Sequence, residues 1–181
     1  NSINWARVLA QTVYYFVAAL ALGAPARPVA FSVPTGNFGD VYAGYCATRM
    51  GLPVQQLTVA TNSNDILARF FRDGTYTPAA VVPTISPSMD IQVASNFERL
   101  LFEMYERDAV AVTGRMRGLL QSGSFSVERR RLDQVKELFV AQRIDEAATL
   151  DTIRDVSARA GIVVDPHTAV GIAAGAITRR S

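Results

Sequence analysis

One stretch of the sequence decides the fold: residues 29–40 read VAFSVPTGNFGD. The first five residues are apolar or small and follow a proline-containing breaker, which is typical of a short, deeply buried strand. A loop with two glycines comes next, and a helix is predicted from about Val41 to Met50, where Gly51 and Pro53 end it. A strand that passes through a glycine loop into a helix is the first half of a βαβ unit.

The second half of the unit follows directly. Residues 54–60 are predicted to form another strand, so a βαβ unit spans 29–60. Its two strands should be parallel and joined by a right-handed crossover. We therefore predict an α/β fold with an open, mostly parallel sheet and helices on both faces.

A long helix is predicted before this unit and a short one after it. The first helix begins at Ser2 or Asn4 and ends near Leu22, and its apolar residues lie nearly all round, which predicts burial on more than one face. The second covers 65–72, and residues 75–87, with three prolines, are predicted to form a structured loop.

Helical additions are predicted after about residue 95. The arginine-rich run 107–131 has a helical pattern, and 132–140 fits either a helix or a strand. Asp151 is predicted to cap a further helix, and Asp165 to cap the last one, with Pro166 in its first turn.

The composition excludes several classes of protein. The chain has 181 residues, of which 49% are hydrophobic and 19% charged, so it suits one folded domain and not a disordered segment. Its net charge of +2 lacks the basic excess of a nucleic-acid binder. The single cysteine and the single histidine argue against a disulfide framework and against a zinc site. No run is long and apolar enough to span a membrane, so we predict a cytoplasmic protein with no membrane partner.

We expect the chain to be a piece of a longer protein. It begins without an initiator methionine and enters a helical pattern almost at once. Its one lysine, Lys136, lies in a charged pattern beside the arginines at 129–131, which we interpret as solvated helix surface.

The loop at 34–40 is predicted to bind an anion. Its glycines permit positive φ angles or close backbone approach, so successive N–H groups can face one concavity at the positive end of a helix dipole. The spacing G-x-x-G is not the dinucleotide pattern G-x-G-x-x-G, nor a P-loop, because no Lys-Ser or Lys-Thr follows. A small monophosphate is the ligand that this loop favours. A tight strand-to-helix turn without a ligand is the alternative.

Several stretches, taken together and in order, resemble threonine synthases. The loop SVPTGNFGD at 32–40 is followed by AGY at 43–45 and MGLP at 50–53. The resemblance includes NSINWAR at 1–7, ATNSND at 60–65, SPSMDI at 86–91, SNFER at 95–99 and DPHTAVG at 165–171. It covers most of the chain, and the part without a recognisable motif is 108–149.

The resemblance implies an enzyme of the tryptophan-synthase-β fold type with pyridoxal 5′-phosphate as cofactor. Such an enzyme converts O-phospho-L-homoserine and water to L-threonine and phosphate. Residues 1–181 would be part of its large cofactor-binding domain, and 108–149 a helical subdomain or insertion. The resemblance also implies that the cofactor phosphate is held by Gly36, Asn37, Phe38, Gly39 and Asp40.

The same resemblance implies that residues beyond this chain complete the site. The family's Schiff-base lysine is expected upstream, and the serine or threonine that faces the pyridine nitrogen is expected downstream of Ser181. No catalytic residue is therefore expected within the chain, and this piece alone is expected to be inactive. Lys136 is a poor substitute for that lysine because of its charged surroundings.

A second phosphate site is expected because the substrate is itself a phosphate ester. Ser2, Asn4 and Arg7 lie at the start of a predicted helix, where Asn4 and Arg7 share a face. A hydroxyl, an amide, a guanidinium and free helical N–H groups can together clamp an oxyanion. We predict that these three residues bind the substrate phosphate. Helix capping plus a surface arginine is the alternative.

Three further residues and two rival functions stay open at this point. His167 either lines the cofactor pocket or makes a structural hydrogen bond, Asp90 either shapes the site wall or caps a turn, and Cys46 is expected to be inert core. The rival functions are another pyridoxal-phosphate lyase of the same fold and a non-catalytic homologue that binds a phosphorylated metabolite. The oligomeric state is not predicted.

Overall fold

The computed structural model describes residues 3–179 and centres on a small parallel sheet. The strands are β1 Val29–Pro34, β2 Val54–Thr61, β3 Thr75–Tyr76, β4 Phe125–Ser126 and β5 Phe139–Arg143. The helices are α1 Trp5–Ala21, α2 Gly39–Arg49, α3 Ile66–Asp73, α4 Phe97–Met104, α5 Ala109–Ser122, α6 Arg129–Lys136, α7 Glu146–Ala160 and α8 Pro166–Thr178, and a 3-10 turn covers Pro87–Met89. The main sheet has the order β1-β2-β5, and β3 pairs with β4 in an antiparallel ribbon.

The predicted βαβ unit at 29–60 is confirmed. β1 and β2 are parallel, with Val33 opposite Val59, and α2 connects them. β5 adds to the other side of β2, also parallel, with Val59 opposite Ala141. The carboxyl ends of the three strands therefore lie at one edge of the sheet, which is where open α/β folds bind ligands.

Helices cover both faces of this sheet, as predicted. Adjacent residues of a strand point to opposite faces. The ring of Phe31 lies 4.8 Å from that of Tyr15 in α1, whereas the neighbouring Ser32 donates a 2.5 Å hydrogen bond to the carbonyl of Gly171 in α8. Hence α1 packs on one face of the sheet and α8 on the other.

A cluster of aromatic rings ties the glycine loop to the core. Phe38 is fully buried, and its ring lies 5.3 Å from Phe97 of α4 and 6.1 Å from Phe139 of β5. Tyr76 stacks between Phe97 and Phe125 at 5.2 and 5.1 Å. Burying one such ring stabilises the fold by about 2–3 kcal/mol, so the loop is anchored by its own aromatic residue.

One prediction about a helix start is wrong. The N-cap of α7 is Asp145, whose side chain accepts a 2.9 Å hydrogen bond from the N–H of Ala148. Asp151 lies inside that helix and pairs at the surface with Arg154 at 2.8 Å. Asp145 takes the position because its backbone is extended (φ −84°, ψ 173°), which is the conformation that an N-cap requires.

The segment 108–149 is not helical throughout. It holds α5, α6 and the start of α7, but also the ribbon strand β4 and the sheet strand β5. The run 132–140, which fits a helix or a strand, divides between the two, because α6 ends at Lys136 and β5 begins at Phe139. The segment therefore contributes a strand to the main sheet, while its status as a separate subdomain stays a prediction.

The outer face of α1 is apolar and exposed. Leu9, Val13, Val17 and Leu20 form this stripe, and each is between 51% and 62% exposed. Their spacing places them along one side of the helix, opposite the buried Val8, Thr12, Tyr15 and Ala19. The expected burial on more than one face is therefore wrong for the described chain. Among residues 3–179, no helix has the length and apolarity needed to cross a lipid bilayer.

Candidate functional site

The loop between β1 and α2 presents a row of N–H groups that have no acceptor among the described residues. Among residues 3–179, the backbone N–H groups of 36–39 make no hydrogen bond. The N–H of Thr35, by contrast, donates to the carbonyl of Ala60 at 2.8 Å and ties the loop to β2. Free N–H groups at the start of a helix carry the partial positive charge of its dipole, so this row favours an anion.

The left-handed residue of this loop is Phe38 and not a glycine. Phe38 has φ 67° and ψ 4° and is the N-cap of α2. Of the two roles expected for the glycines, positive φ is not the one observed, because neither Gly36 nor Gly39 has a positive φ. The left-handed conformation costs a non-glycine residue about 1–3 kcal/mol. Burial of the Phe38 ring against Phe97 and Phe139 offsets that cost.

The two glycines serve close approach instead. A Cβ on Gly36 would lie 2.6 Å from the carbonyl oxygen of Ser88, far inside van der Waals contact. A Cβ on Gly39 would lie 3.2 Å from Nδ2 of Asn96. The expected close backbone approach is confirmed, and it lets the segment 88–96 pack directly on the loop.

Three of the four loop residues with free N–H groups, Gly36, Asn37 and Gly39, line a cavity of about 230 Å³. Its walls come from four distant parts of the sequence: α1, the glycine loop, the segment 88–96 and the start of α8. The lining residues are Arg7, Gln11, Pro34, Gly36, Asn37, Gly39, Asp40, Ser88, Met89, Asn96 and His167. Every residue predicted to hold the cofactor phosphate lines this cavity except Phe38, which is fully buried with its ring in the core.

The three residues predicted to bind a substrate phosphate are not equivalent in the structure. Arg7 lines the same cavity as the glycine loop, so its guanidinium can face an anion there. Asn4 is the N-cap of α1, and its Oδ1 accepts a 2.9 Å hydrogen bond from the N–H of Ala6, as in the capping alternative. Ser2 lies outside the described residues. The structure thus brings one basic side chain and the loop N–H groups together.

Asp40 brings a carboxyl group into the cavity at the start of α2. Burial raises the pKa of Asp40 to about 6, and this effect outweighs the 2.7 Å hydrogen bond that its Oδ1 accepts from the N–H of Val41. The hydroxyl of Tyr15 donates to the Asp40 backbone carbonyl at 2.8 Å and fixes the residue. A carboxyl with such a pKa can take up or release a proton near neutral pH.

A hydrogen-bond network that the sequence did not reveal holds the wall at 84–92. Oδ1 of Asp90 accepts from Nδ2 of Asn62 at 2.8 Å, from Nδ2 of Asn64 at 2.9 Å and from the Thr84 hydroxyl at 2.7 Å. Burial alone would raise the pKa of Asp90, but the hydrogen bonds have the larger combined effect, so the pKa is lowered from its usual value. Asn62 and Asn64 directly follow β2, so the network attaches this wall to the carboxyl edge of the sheet. Asp90 therefore shapes the site wall.

His167 joins the same wall to α8. The N–H of Ser88 donates to Nε2 of His167 at 3.2 Å, and Nδ1 lies 3.1 Å from Oδ1 of Asp165. Because Nε2 accepts a hydrogen bond, the ring proton is on Nδ1, which donates to Asp165. Both interpretations of His167 therefore hold: it lines the cavity and makes a structural hydrogen bond.

Lys136 and Cys46 lie away from this cavity. Lys136 is the last residue of α6. Cys46 is half-buried in α2 against the core, and burial raises the pKa of its thiol, which suits an inert side chain. Within the described part of the chain, no cluster of three or more His, Cys, Asp or Glu side chains could hold a metal ion.

Curated proteins similar to this chain include several threonine synthases. A threonine synthase from Pseudomonas aeruginosa is 54% identical over 181 residues, which are 100% of this chain and 39% of the relative. A threonine synthase from Saccharomyces cerevisiae is 40% identical over 191 residues, covering 96% of this chain and 37% of the relative. No family model matches the chain.

Solved structures that resemble this chain also include threonine synthases. A pyridoxal-phosphate-bound threonine synthase from Brucella melitensis has a TM-score of 0.98 and 53% identity, covering 100% of this chain and 39% of its own. The yeast threonine synthase has a TM-score of 0.93 and 39% identity, covering 98% of this chain and 38% of its own. A solved threonine deaminase, which is 16% identical with a TM-score of 0.56, shares the fold alone.

The fold and these neighbours define a class: the chain has the α/β architecture of the pyridoxal-phosphate enzymes of fold type II. Within that class the chain is homologous over its whole length to threonine synthases, which confirms the resemblance seen in its motifs. It spans 39% of the length of the Pseudomonas relative.

Proposed function

We propose that the protein containing this chain is a pyridoxal-phosphate-dependent threonine synthase. It converts O-phospho-L-homoserine and water to L-threonine and phosphate. One observation carries the proposal: Gly36, Asn37 and Gly39, whose N–H groups make no hydrogen bond among residues 3–179, line the cavity in a chain that is 54% identical to a threonine synthase.

The glycine loop fits the phosphate of pyridoxal phosphate. A phosphate monoester is a compact anion whose three oxygens match several N–H donors at a helix start, and it needs no lysine there. A Cβ at Gly36 would collide with the Ser88 carbonyl and one at Gly39 would crowd Asn96, so the loop keeps this conformation only with glycine at both positions. The Brucella melitensis relative, solved with pyridoxal phosphate bound, supports the same ligand.

Pyridoxal phosphate, when bound, supplies the electron sink for chemistry on an amino acid. The chain's own residues bind and orient. The N–H groups at 36–39 hold the cofactor phosphate, and Arg7 attracts the phosphate of the substrate and stabilises its charge as it leaves. Asp40 can take up or release a proton beside the loop near neutral pH, and the segment 84–92 forms one wall of the cavity. We assign no nucleophile to this chain and expect the lysine that binds the cofactor elsewhere in the full protein.

The deciding experiment gives O-phospho-L-homoserine to the purified full-length protein. We expect equal amounts of L-threonine and inorganic phosphate, formed only when pyridoxal phosphate is present. Turnover of a different amino acid, with none of O-phosphohomoserine, would identify the rival lyase. Binding of a phosphate ester with no turnover and no absorbance band of bound pyridoxal phosphate would identify the non-catalytic homologue.

Arg7 tests the second phosphate site within the same assay. Arg7→Ala is expected to raise KM for O-phosphohomoserine at least about tenfold, because a charge-assisted hydrogen bond to the substrate is lost. The matched control is Arg27→Ala, an exposed arginine outside the cavity, which should change neither KM nor kcat. Unchanged kinetics in Arg7→Ala would remove Arg7 from the substrate site.

We also propose that this enzyme works in the cytoplasm on a small-molecule substrate, without a nucleic-acid or membrane partner. The small net charge of +2 supports the absence of a nucleic-acid partner. Cell fractionation with an antibody against the full-length protein tests the location, and activity in the membrane pellet would contradict it.

A further inference from the structure

A buried asparagine holds the glycine loop in place. Asn96 is fully buried, and both its backbone N–H and its Nδ2 donate to the carbonyl oxygen of Asn37, at 3.0 and 3.2 Å. A peptide unit is planar and trans, so fixing the Asn37 carbonyl also fixes the N–H of Phe38, which points the opposite way. Asn96 therefore sets the direction of one of the free N–H groups of the loop.

The same asparagine is connected to the start of α1 through Arg99. Oδ1 of Asn96 accepts a 3.0 Å hydrogen bond from Nε of Arg99, and Nη2 of Arg99 donates to the carbonyl of Ile3 at 2.7 Å. The guanidinium also lies over the ring of Trp5, 5.2 Å from its centroid. One planar side chain thus contacts both the residue that holds the loop and the first turn of the helix that carries Arg7.

The chemistry of this connection requires an arginine. The guanidinium offers donors in a rigid fork, so one donor can reach Asn96 while another reaches Ile3. A lysine carries a single flexible ammonium group and cannot span both acceptors in the same geometry. The Asn96 amide has one consistent orientation, because its nitrogen faces a carbonyl and its oxygen faces the guanidinium.

We propose that Asn96 and Arg99 are positioning residues that fix the distance between the glycine loop and Arg7. The loop residues Gly36, Asn37 and Gly39 line the same cavity as Arg7, but the loop and Arg7 belong to different elements. The Asn37–Asn96–Arg99–Ile3 connection, defined by these four residues, is a direct polar link between those elements. The effect on binding of the substrate phosphate rests on the proposed function, whereas the link between the loop and α1 does not.

The test compares Arg99→Lys and Arg99→Ala with wild type in the full-length protein. We expect both variants to raise KM for O-phosphohomoserine about tenfold, while kcat and the dissociation constant of pyridoxal phosphate change less than about threefold. A misplaced Arg7 loses substrate binding, but the loop still holds the cofactor. Arg72→Lys, at an exposed arginine paired with Asp73, is the matched control and should leave all three constants unchanged.

Asn96→Asp tests the other end of the connection. The change removes the Nδ2 donor and puts a negative charge beside the Asn37 carbonyl, so the loop loses its fixed direction. We expect the dissociation constant of pyridoxal phosphate to rise about tenfold, a larger change than in either Arg99 variant. An Asn96→Asp variant that binds the cofactor as tightly as wild type would overturn the role of Asn96.

Hydrogen–deuterium exchange gives a readout that needs no catalysis. In Arg99→Lys, the amides at 6–9 should exchange at least about tenfold faster than in wild type, since the first turn of α1 loses its contact with α4. Unchanged exchange together with unchanged KM would overturn the proposal. If the wild type does not turn over O-phosphohomoserine, the proposed function fails, and exchange together with inorganic phosphate binding then decides the positioning role alone.

Discussion

Asp40 is the only acidic side chain among the described residues that line the cavity. Its pKa of about 6 means that it is largely protonated below pH 6 and ionised above it. An ionised carboxylate near the loop repels a bound phosphate, whereas the protonated form does not. Anion binding at the loop should therefore be linked to proton uptake by this one residue.

Asp40→Asn measures that linkage. Near pH 5 the variant and the wild type should bind pyridoxal phosphate with similar dissociation constants, because the wild-type carboxyl is neutral. Near pH 7.5 the wild type should bind about three- to tenfold more weakly than the variant. Fluorescence titrations at both pH values give the ratio of the wild-type to the variant dissociation constant. Protonation of the ligand phosphate affects both proteins equally and cancels in this ratio. A ratio that does not change with pH would contradict the prediction.

Gly36→Ala tests the close approach at the loop. The new Cβ would lie 2.6 Å from a backbone carbonyl, which cannot move aside as a flexible side chain can. We expect the variant to lose about 1–3 kcal/mol of stability and at least tenfold in pyridoxal-phosphate affinity. The matched control is Gly114→Ala in α5, where no atom lies within 4 Å of the new Cβ. That control should gain about 0.5–1 kcal/mol of helix stability and bind the cofactor normally.

The sequence was sufficient for features that depend on local pattern. The strand at 29–33, the glycine loop and the helix after it follow from apolar runs and glycine spacing, and the helix cap at Asp165 follows from an Asp-Pro pair. The left-handed Phe38 could not be predicted, because the ring packing that stabilises it comes from Phe97 and Phe139, far along the chain. The network around Asp90 was missed for the same reason: its partners Asn62 and Asn64 are 28 and 26 residues away.

At the scale of elements, α7 shows how backbone conformation selects between two possible caps. Both Asp145 and Asp151 precede helical sequence, but Asp145 alone has an extended backbone and a hydrogen bond to an N–H of the first turn. Asp151 is 74% exposed and bonded to Arg154. The sequence alone therefore offers two equivalent N-cap residues for α7, and only the backbone conformation distinguishes them.

Asp145→Ala and Asp151→Ala form a matched pair for α7. The first removes a cap and should cost about 1 kcal/mol, with faster exchange of the amides at 146–149. The second removes one exposed ion pair and should cost less than about 0.5 kcal/mol. Hydrogen exchange on both variants checks the order, and an equal effect at the two positions would contradict the assignment of the cap.

At the scale of the whole molecule, the apolar stripe of α1 governs behaviour in solution. Contiguous apolar side chains on a helix face cost free energy in water, whereas single exposed leucines are ordinary. The 181-residue chain produced alone should therefore self-associate at micromolar concentration. Val13→Gln combined with Val17→Gln should shift it toward monomer, while Leu120→Gln, at an 86% exposed residue of α5, should not. Sedimentation velocity measures all three, and a monomeric unmodified chain would contradict the prediction.

The cavity beside the glycine loop needs all four of its distant segments at once. Residue 7 and residue 167 meet there only after the strands have paired and the terminal helices have docked. A partly folded chain lacks this cavity. A phosphate-bearing fluorophore should therefore bind only to fully folded molecules, and its bound fraction would report how much of the protein is folded. Ligand occupancy should accordingly shift the equilibrium toward the native ensemble and slow proteolysis throughout the polypeptide.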